Sequence, residues 1–397
     1  MAKKIVRRRL VTATPPPPQR EEEDEDVEST EDETPARGSR AAPRRTAKAT
    51  RRKTARDTDD EPLVRDGGAY GLTGDMEDIR VKRFGSGCTL LDCEIGGGGG
   101  GAFPEGRVVN FAGWQSTNKT GVCIEACANF SIAYPTGITR YNDAEAAFDV
   151  NYARRMGLPM DRISFVEECR IVEVFFQDVK DFIAECERRR VPGLYIIDSL
   201  DALSDQAELD GGMDKASYGM AKAKRMSQFF RTLAGPLNSA KVTLIVISQL
   251  RDKLNVSFGE KATRAGGKAL DFYASWVVWL SHIGQIKRSV NGIERVVGVR
   301  IKAKCKKNKC GPPFRECEFP VIFDYGIDDI ESMADWLVEV KKWELFDERK
   351  PGTYLKWLDK QPREMYISES KRMSAVVRAE WDKIEESFSP NFSKYGS

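Results

Sequence analysis

The sequence predicts an α/β protein: a mainly parallel, twisted sheet flanked by helices and extended by antiparallel strands. A small C-terminal domain follows it and a disordered tail precedes it. Three observations predict this. Between residues 108 and 248, short apolar β-rich runs alternate with helix-length stretches, the pattern of parallel strands covered on both faces. Between 275 and 323, three more β-rich runs follow with no helix between them, which suits antiparallel pairing because parallel neighbours need long crossovers. Before residue 68 the charges separate into blocks that cannot build a core.

Taken in order, residues 1–67 carry PPPP at 15–18 and few large apolar side chains. Positions 21–33 hold ten acids in thirteen residues, and 37–56 hold nine basic residues and no acid. Such blocks repel internally and bury too little surface to offset chain entropy, so this segment is expected to be disordered. The basic block suits DNA phosphates, with the acidic block competing for it; a solubilising extension is the other reading.

Residues 68–335 form the expected core. Strands are predicted at 108–112, 137–141, 163–166, 194–197 and 242–248. Helices are predicted at about 120–133, 145–156, 174–189 and 216–234. The antiparallel runs lie at about 275–283, 295–304 and 316–323. The glycine run at 96–101 reads as a flexible loop ahead of the first core strand, not as a phosphate loop, since no strand feeds it. Residues 336–397 are charged and helical with interleaved tryptophans, and read as a small, mostly helical domain.

Composition narrows the function. The 397 residues allow two or three units at ~100–200 residues each, and 41% hydrophobic content supports a sizeable core. Lys+Arg of 63 against Asp+Glu of 61 leaves a net charge of +2. That excludes a uniformly basic nucleic-acid coat and leaves local patches. No apolar run reaches the roughly 18 residues of a membrane span, and the N-terminus lacks a secretory core. No membrane partner is expected, and the location expected is cytoplasmic and DNA-associated. Nine cysteines at irregular spacing, mostly inside apolar runs, read as free buried thiols. Cys305, Cys310 and Cys317 are a weak zinc alternative without a CxxC pair. The single histidine, His282, argues against histidine-based triad chemistry.

The chemistry-bearing motif follows the first core strand. Gly113-Trp114-Gln115-Ser116-Thr117-Asn118-Lys119-Thr120 nearly matches G-x-x-x-x-G-K-[ST] and lies between a strand and a helix, as that phosphate loop requires. Backbone N–H groups would face phosphates, Lys119 would reach the β- and γ-phosphates, and the Thr120 hydroxyl would ligate Mg²⁺. Asn118 replaces the second glycine; asparagine tolerates positive φ, although its side chain could crowd the phosphates. The apolar strand ending in Asp198 has the Walker B form, with Asp198 in the Mg²⁺ shell. Glu145 follows another strand and is placed to orient a water. ATP and Mg²⁺ are therefore the expected cofactors.

From Tyr195 to Phe272 the residues become recognisable. The stretches IIDSLDAL, RMSQFFRTLAG, QLRDKLNVSFGEKATRAGGKALDFYAS and KKNKCGPPF resemble the RecA recombinase family, with the match running from about Phe84 to about Trp336. The divergence looks like that of a phage-type or otherwise distant member. The tail matches nothing, and the family's short N-terminal helix for filament packing is not evident.

The resemblance implies a RecA-like P-loop core and specific roles. Glu145 matches the glutamate that activates water. Asp149 and Tyr152 match contacts to adenine and ribose. Gln249 matches the glutamine that senses the γ-phosphate. Lys307 and Lys309 match a pair that reaches a neighbour's ATP, where developing negative charge needs cations. Two DNA-binding loops are implied, at about 208–217 and 250–268. In the second, Arg251 and Lys268 would neutralise phosphates, Gly266 and Gly267 would allow close backbone approach, and Leu254 and Phe258 would wedge between bases.

The implied activity is an ATP-dependent recombinase. It would form a homo-oligomeric helical filament on single-stranded DNA and pair it with homologous double-stranded DNA, as a DNA-dependent ATPase. The alternatives are a DNA-binding accessory paralogue with weak or absent ATPase, prompted by Asn118, and a hexameric helicase, which shares the core fold.

Overall fold

The computed structural model describes residues 82–390, apart from 98–99, 147, 167–168, 205, 207–217, 253–261 and 265–266. The expected tail, and the first DNA-binding loop at 208–217, lie outside the described residues. Among the described residues no helix is long and apolar enough to cross a membrane.

Strand β1 (Arg83–Phe84) and helix α1 (Thr89–Gly96) lead to β2 (Phe103–Pro104), which pairs with β1 in a small antiparallel sheet. The main sheet then begins. It contains β3 (Val108–Gly113), β4 (Ile138–Asp143), β5 (Ile163–Val166), β6 (Gly193–Asp198), β7 (Val242–Asp252), β9 (Trp276–Val290), β10 (Ile293–Asn308), β11 (Glu316–Ile322) and β12 (Gly326–Ile327). Their order across the sheet is β12-β11-β10-β9-β3-β7-β6-β4-β5, and the short β8 (Ala262–Arg264) pairs off the end of β7. From β9 to β5 neighbours run parallel; from β9 to β12 they run antiparallel. Parallel pairing with an antiparallel extension is the architecture the alternation of elements predicted.

The helices of the parallel half are α2 (Lys119–Ala133), α3 (Val150–Arg155), α4 (Val172–Arg189), α5 (Tyr218–Ser239) and α6 (Gly267–Tyr273). Those beyond the sheet are α7 (Asp329–Glu339), α8 (Pro351–Leu358) and α9 (Arg363–Phe388). Strand residues alternate between two apolar layers. Val109, Phe111, Leu194, Ile196, Ile245 and Ile247 face one. Val108, Tyr195, Ile197, Leu244 and Val246 face the other, with α4 and α5 side chains. A period of two with both faces buried explains why these strands read as unbroken apolar runs.

Two local expectations change. The glycine run is not simply a loop: Gly96 closes α1, and Gly97 caps it at φ 74° with its N–H on the Cys93 carbonyl. At Gly101, φ is 147° and a β-carbon would stand 2.6 Å from the Phe84 carbonyl, so the backbones cross where only glycine fits. The helix expected from 145 starts only at Val150. The Asp143 carboxylate accepts the Phe148 N–H at 2.9 Å, and Asp149 caps α3 through the N–H groups of Asn151 and Tyr152. Asp143 and Asp149 thus hold the segment carrying Glu145 in a turn.

The helices after residue 328 close one face of the sheet. Trp343, Tyr354, Leu358, Met373 and Val377 join the same apolar layer as α1 and α2. A buried carboxylate ties them down: Asp92 accepts from Ser86 N–H and Oγ, from Ala102 N–H, and from Arg378 of α9 at 3.0 Å. All nine cysteines are free, and eight are buried.

Candidate active site

The site is assembled at the carboxyl edge of the parallel strands, where loops leave the sheet. Register places Gly113 beside Gln249 and Asp143 beside Asp198. β3 is buried throughout, so the phosphate-loop segment starts from a fixed point.

Gly113 has no room for a side chain: a β-carbon would lie 2.9 Å from the Leu280 carbonyl and closer still to Thr117 Oγ1. The loop then turns through two left-handed residues, Ser116 at φ 59° and Asn118 at φ 60°. Thr117 Oγ1 donates to the Trp114 carbonyl at 2.9 Å. Lys119 Nζ donates to the same carbonyl at 2.7 Å and to that of Gly113 at 3.2 Å. Trp114, Gln115 and Ser116 are exposed on the loop's outer side. Burial holds the Lys119 ammonium below the usual lysine range.

Asn118 takes the left-handed conformation that the motif's glycine normally supplies. Its side chain does not cap α2. It lies over Gly121, where a β-carbon would fall 2.7 Å from Asn118 Cγ and Nδ2. Asn118 Nδ2 is buried without a hydrogen-bond partner.

Asp198, at the end of β6, accepts from Thr120 Oγ1 at 2.7 Å and from Tyr141 OH at 2.8 Å, both on Oδ2. Burial raises its pKa, and the two hydrogen bonds oppose that rise. The Asp198–Ser199 peptide is cis. Ser199 Oγ donates to Glu145 Oε1, and Gln249 Nε2 donates to the same oxygen at 2.9 Å. Lys119, Thr120, Glu145, Asp198 and Gln249 therefore occupy one edge. A residue the sequence reading passed over joins them. Asp201, three positions after Asp198, accepts the Gln249 backbone N–H at 2.7 Å and faces Arg251 at 3.3 Å. A second acid in the same post-strand turn was the available signal.

The residues present fit a magnesium nucleotide. Lys119, a cation at the N-terminus of α2, stands against the loop carbonyls where phosphate charge would be met. Thr120 and Asp198 offer adjacent hard oxygen ligands of the type Mg²⁺ prefers. Asp149 and Tyr152 sit at the start of α3, past the same edge. The Asp149 carboxylate is engaged by backbone N–H groups, which lower its pKa; Tyr152 packs against the apolar layer.

Lys307 and Lys309 are at the other end of the sheet. Lys309 N–H bonds the Ser275 carbonyl, and Ser275 N–H bonds that of Val108. This places them at the start of β3, five residues or roughly 17 Å along the strand from Gly113. Both ammonium groups donate to the Phe272 carbonyl at the end of α6, at 2.8 and 3.0 Å. Burial, then repulsion from Lys309, lowers Lys307 to about 8.

Arg251 is exposed near the end of β7. Leu254, Phe258 and Gly266 lie outside the described residues. The expected loop at 250–268 is narrower than that: Leu250–Asp252 pair with Ala262–Arg264 as an antiparallel stem, and Gly267 and Lys268 begin α6.

Comparison with known proteins agrees with this geometry. The RecA N-terminal domain family matches residues 66–328. The chain is similar to Protein RecA of Chloroherpeton thalassium, 36% identical over 291 residues, covering 72% of this chain and 77% of that protein. Protein RecA of Chlorobaculum parvum is 36% identical, covering 68% and 73%. Protein RecA of a Nocardioides species is 37% identical, covering 67% and 72%. With the family match spanning most of the sheet that carries the phosphate loop, this chain belongs to the RecA family.

Proposed function

We propose that the chain is a DNA-dependent ATPase and recombinase that assembles as a helical filament on single-stranded DNA and pairs it with homologous duplex. The observation that carries this reading is the split of the catalytic set. Lys119, Thr120, Glu145, Asp198 and Gln249 share the carboxyl edge, while Lys307 and Lys309 stand at the opposite end. A second copy of the chain would bring those lysines to a nucleotide, which is what a filament provides. The relatives' name, Protein RecA, agrees with it.

In this mechanism the loop N–H groups and Lys119 hold the phosphates. Thr120 and Asp198 would hold Mg²⁺, which would supply positive charge against the phosphate oxygens. The Glu145 carboxylate accepts a proton from the attacking water, and Ser199 and Gln249 hold it in the required orientation. Gln249 lies two residues before Arg251 on one strand, so a change at the nucleotide reaches the DNA-contacting segment through a short path. Arg251 and Lys268 neutralise DNA phosphates, Gly266 and Gly267 permit close backbone approach, and Leu254 and Phe258 separate bases. Asp149 and Tyr152 contact the adenosine.

The accessory reading rests on Asn118. Asn118 takes the left-handed turn with its side chain lodged over Gly121, which favours a working loop. The deciding experiment measures ATP turnover with and without single-stranded DNA, and strand exchange, for wild type, Lys119→Ala and Glu145→Gln. DNA-stimulated turnover that falls roughly 100-fold in Glu145→Gln supports the reading. Full strand exchange by Lys119→Ala sinks it.

A further inference from the structure

Asp201 stands on the short 3-10 turn Leu200–Ala202 that follows β6. Its side chain is 3% exposed, unusually low for a carboxylate. Oδ2 accepts the Gln249 N–H. Oδ1 is buried with no hydrogen bond and faces the Arg251 guanidinium at 3.3 Å. The pairing of β6 with β7 stops at Ile197 and Val246, so the Gln249 N–H lies beyond the ladder and Asp201 replaces the missing acceptor. Gln249 is then held at both ends, its backbone by Asp201 and its amide by Glu145. Arg251 belongs to the same strand, braced by its pairing with Thr263 of β8. Burial raises the pKa of Asp201, while the Gln249 bond, Arg251 and Lys222 oppose the rise.

We infer that Asp201 is a positioning residue joining the nucleotide site to the DNA-contacting strand, and that its charge competes with DNA phosphate for Arg251. The inference rests on the function proposed above. A carboxylate is not needed to accept one N–H, since a neutral oxygen suffices. The charge is matched instead to Arg251, whose side chain is 66% exposed and so accessible to a phosphate. Asp201 thus tempers DNA contact through its charge and transmits it to Gln249 through its hydrogen bond.

Two substitutions separate these roles. Asp201→Asn keeps an oxygen for the Gln249 N–H and removes the charge; Asp201→Ala removes both. Binding of a thymidine oligonucleotide is measured against salt, together with DNA-stimulated ATP turnover. Asp201→Asn is expected to tighten binding roughly two- to fivefold at low salt and to steepen the salt slope by up to ~0.7, with stimulation retained. Asp201→Ala is expected to tighten binding similarly but lose most of the stimulation. In an Arg251→Ala background, Asp201→Asn should change neither affinity nor slope. Wild-type affinity and slope in Asp201→Asn, or full stimulation in Asp201→Ala, overturn the inference. A wild type that neither binds the oligonucleotide nor hydrolyses ATP overturns the underlying function, and the inference with it.

Discussion

The amide of Asn118 occupies the space that a side chain at Gly121 would need, three residues into α2. The two positions act as a pair: the loop carries a side chain where the motif has glycine, and the helix carries glycine where that side chain must go.

Gly121→Ala should therefore push the Asn118 side chain toward the phosphates. Binding of a fluorescent nucleotide is expected to weaken about tenfold, or ~1.4 kcal/mol. The fold should not suffer, because alanine is favoured over glycine within a helix by about 1 kcal/mol. Asn118→Gly/Gly121→Ala should restore most of the affinity. Strictly additive effects of the two substitutions would show that the positions are independent.

Lys307 supplies a pH test of the cross-subunit role. Its folded pKa of about 8 lies below the ordinary lysine value of 10.5. The unfolded chain binds the extra proton between those limits, so stability rises with pH across that window and is flat below it. Function runs the other way, because the charge is lost as pH rises through about 8. DNA-stimulated ATP turnover should fall above pH 8 in wild type, and Lys307→Arg should hold its rate to higher pH. Superimposable pH profiles would exclude Lys307 as the source of the decline.

Glu125, on the second turn of α2, is a partly buried acid that accepts the Ile327 N–H at 3.0 Å. Burial raises its pKa to about 7, from an ordinary value of 4.5. A raised carboxyl pKa contributes stability fully below pH 4.5, and that contribution is lost as pH rises to about 7. Glu125→Gln keeps an oxygen for Ile327 and removes the buried charge. It should be more stable than wild type by about 2 kcal/mol above pH 7 and equal to it near pH 4.5. Thermal melts across that range give the answer; a constant offset would mean that Glu125 does not titrate there.

Arg378 is the cation of the buried Asp92 cluster that docks α9 on α1. Arg378→Ala leaves the carboxylate buried without a cation, and should cost about 3 kcal/mol in denaturant unfolding. An effect below about 0.5 kcal/mol would mean that the pair behaves as an exposed one.

Much of the molecule was legible in the chain because the responsible forces are local or periodic. Short unbroken apolar runs such as 242–248, alternating with helix-length segments, argue strands covered on both faces. Helix-length segments between them require parallel crossovers, and that topology puts the ends of β3, β4 and β6 on one edge. Gly113 to Thr120 stood out by the phosphate-loop pattern after a strand, Asp198 as an acid ending an apolar strand, and Glu145 by its place after another strand. Short polar segments defeated the same reasoning. Residues 145–149 carry helix-compatible residues, yet Asp143 and Asp149 bind backbone N–H groups and keep Glu145 in a turn. Residues 96–101 suggest a loop, yet Gly101 is where two backbones cross.

Side-chain direction was beyond the sequence altogether. Composition and spacing place Asn118 in the loop and Asp201 after the strand. Whether the amide turns toward phosphates or toward Gly121, and which N–H the carboxylate meets, depends on neighbours brought close only by folding. Pairing, burial and the end of the β6–β7 ladder decided those contacts, because each is set by groups tens of residues apart in the chain and a few ångströms apart in space.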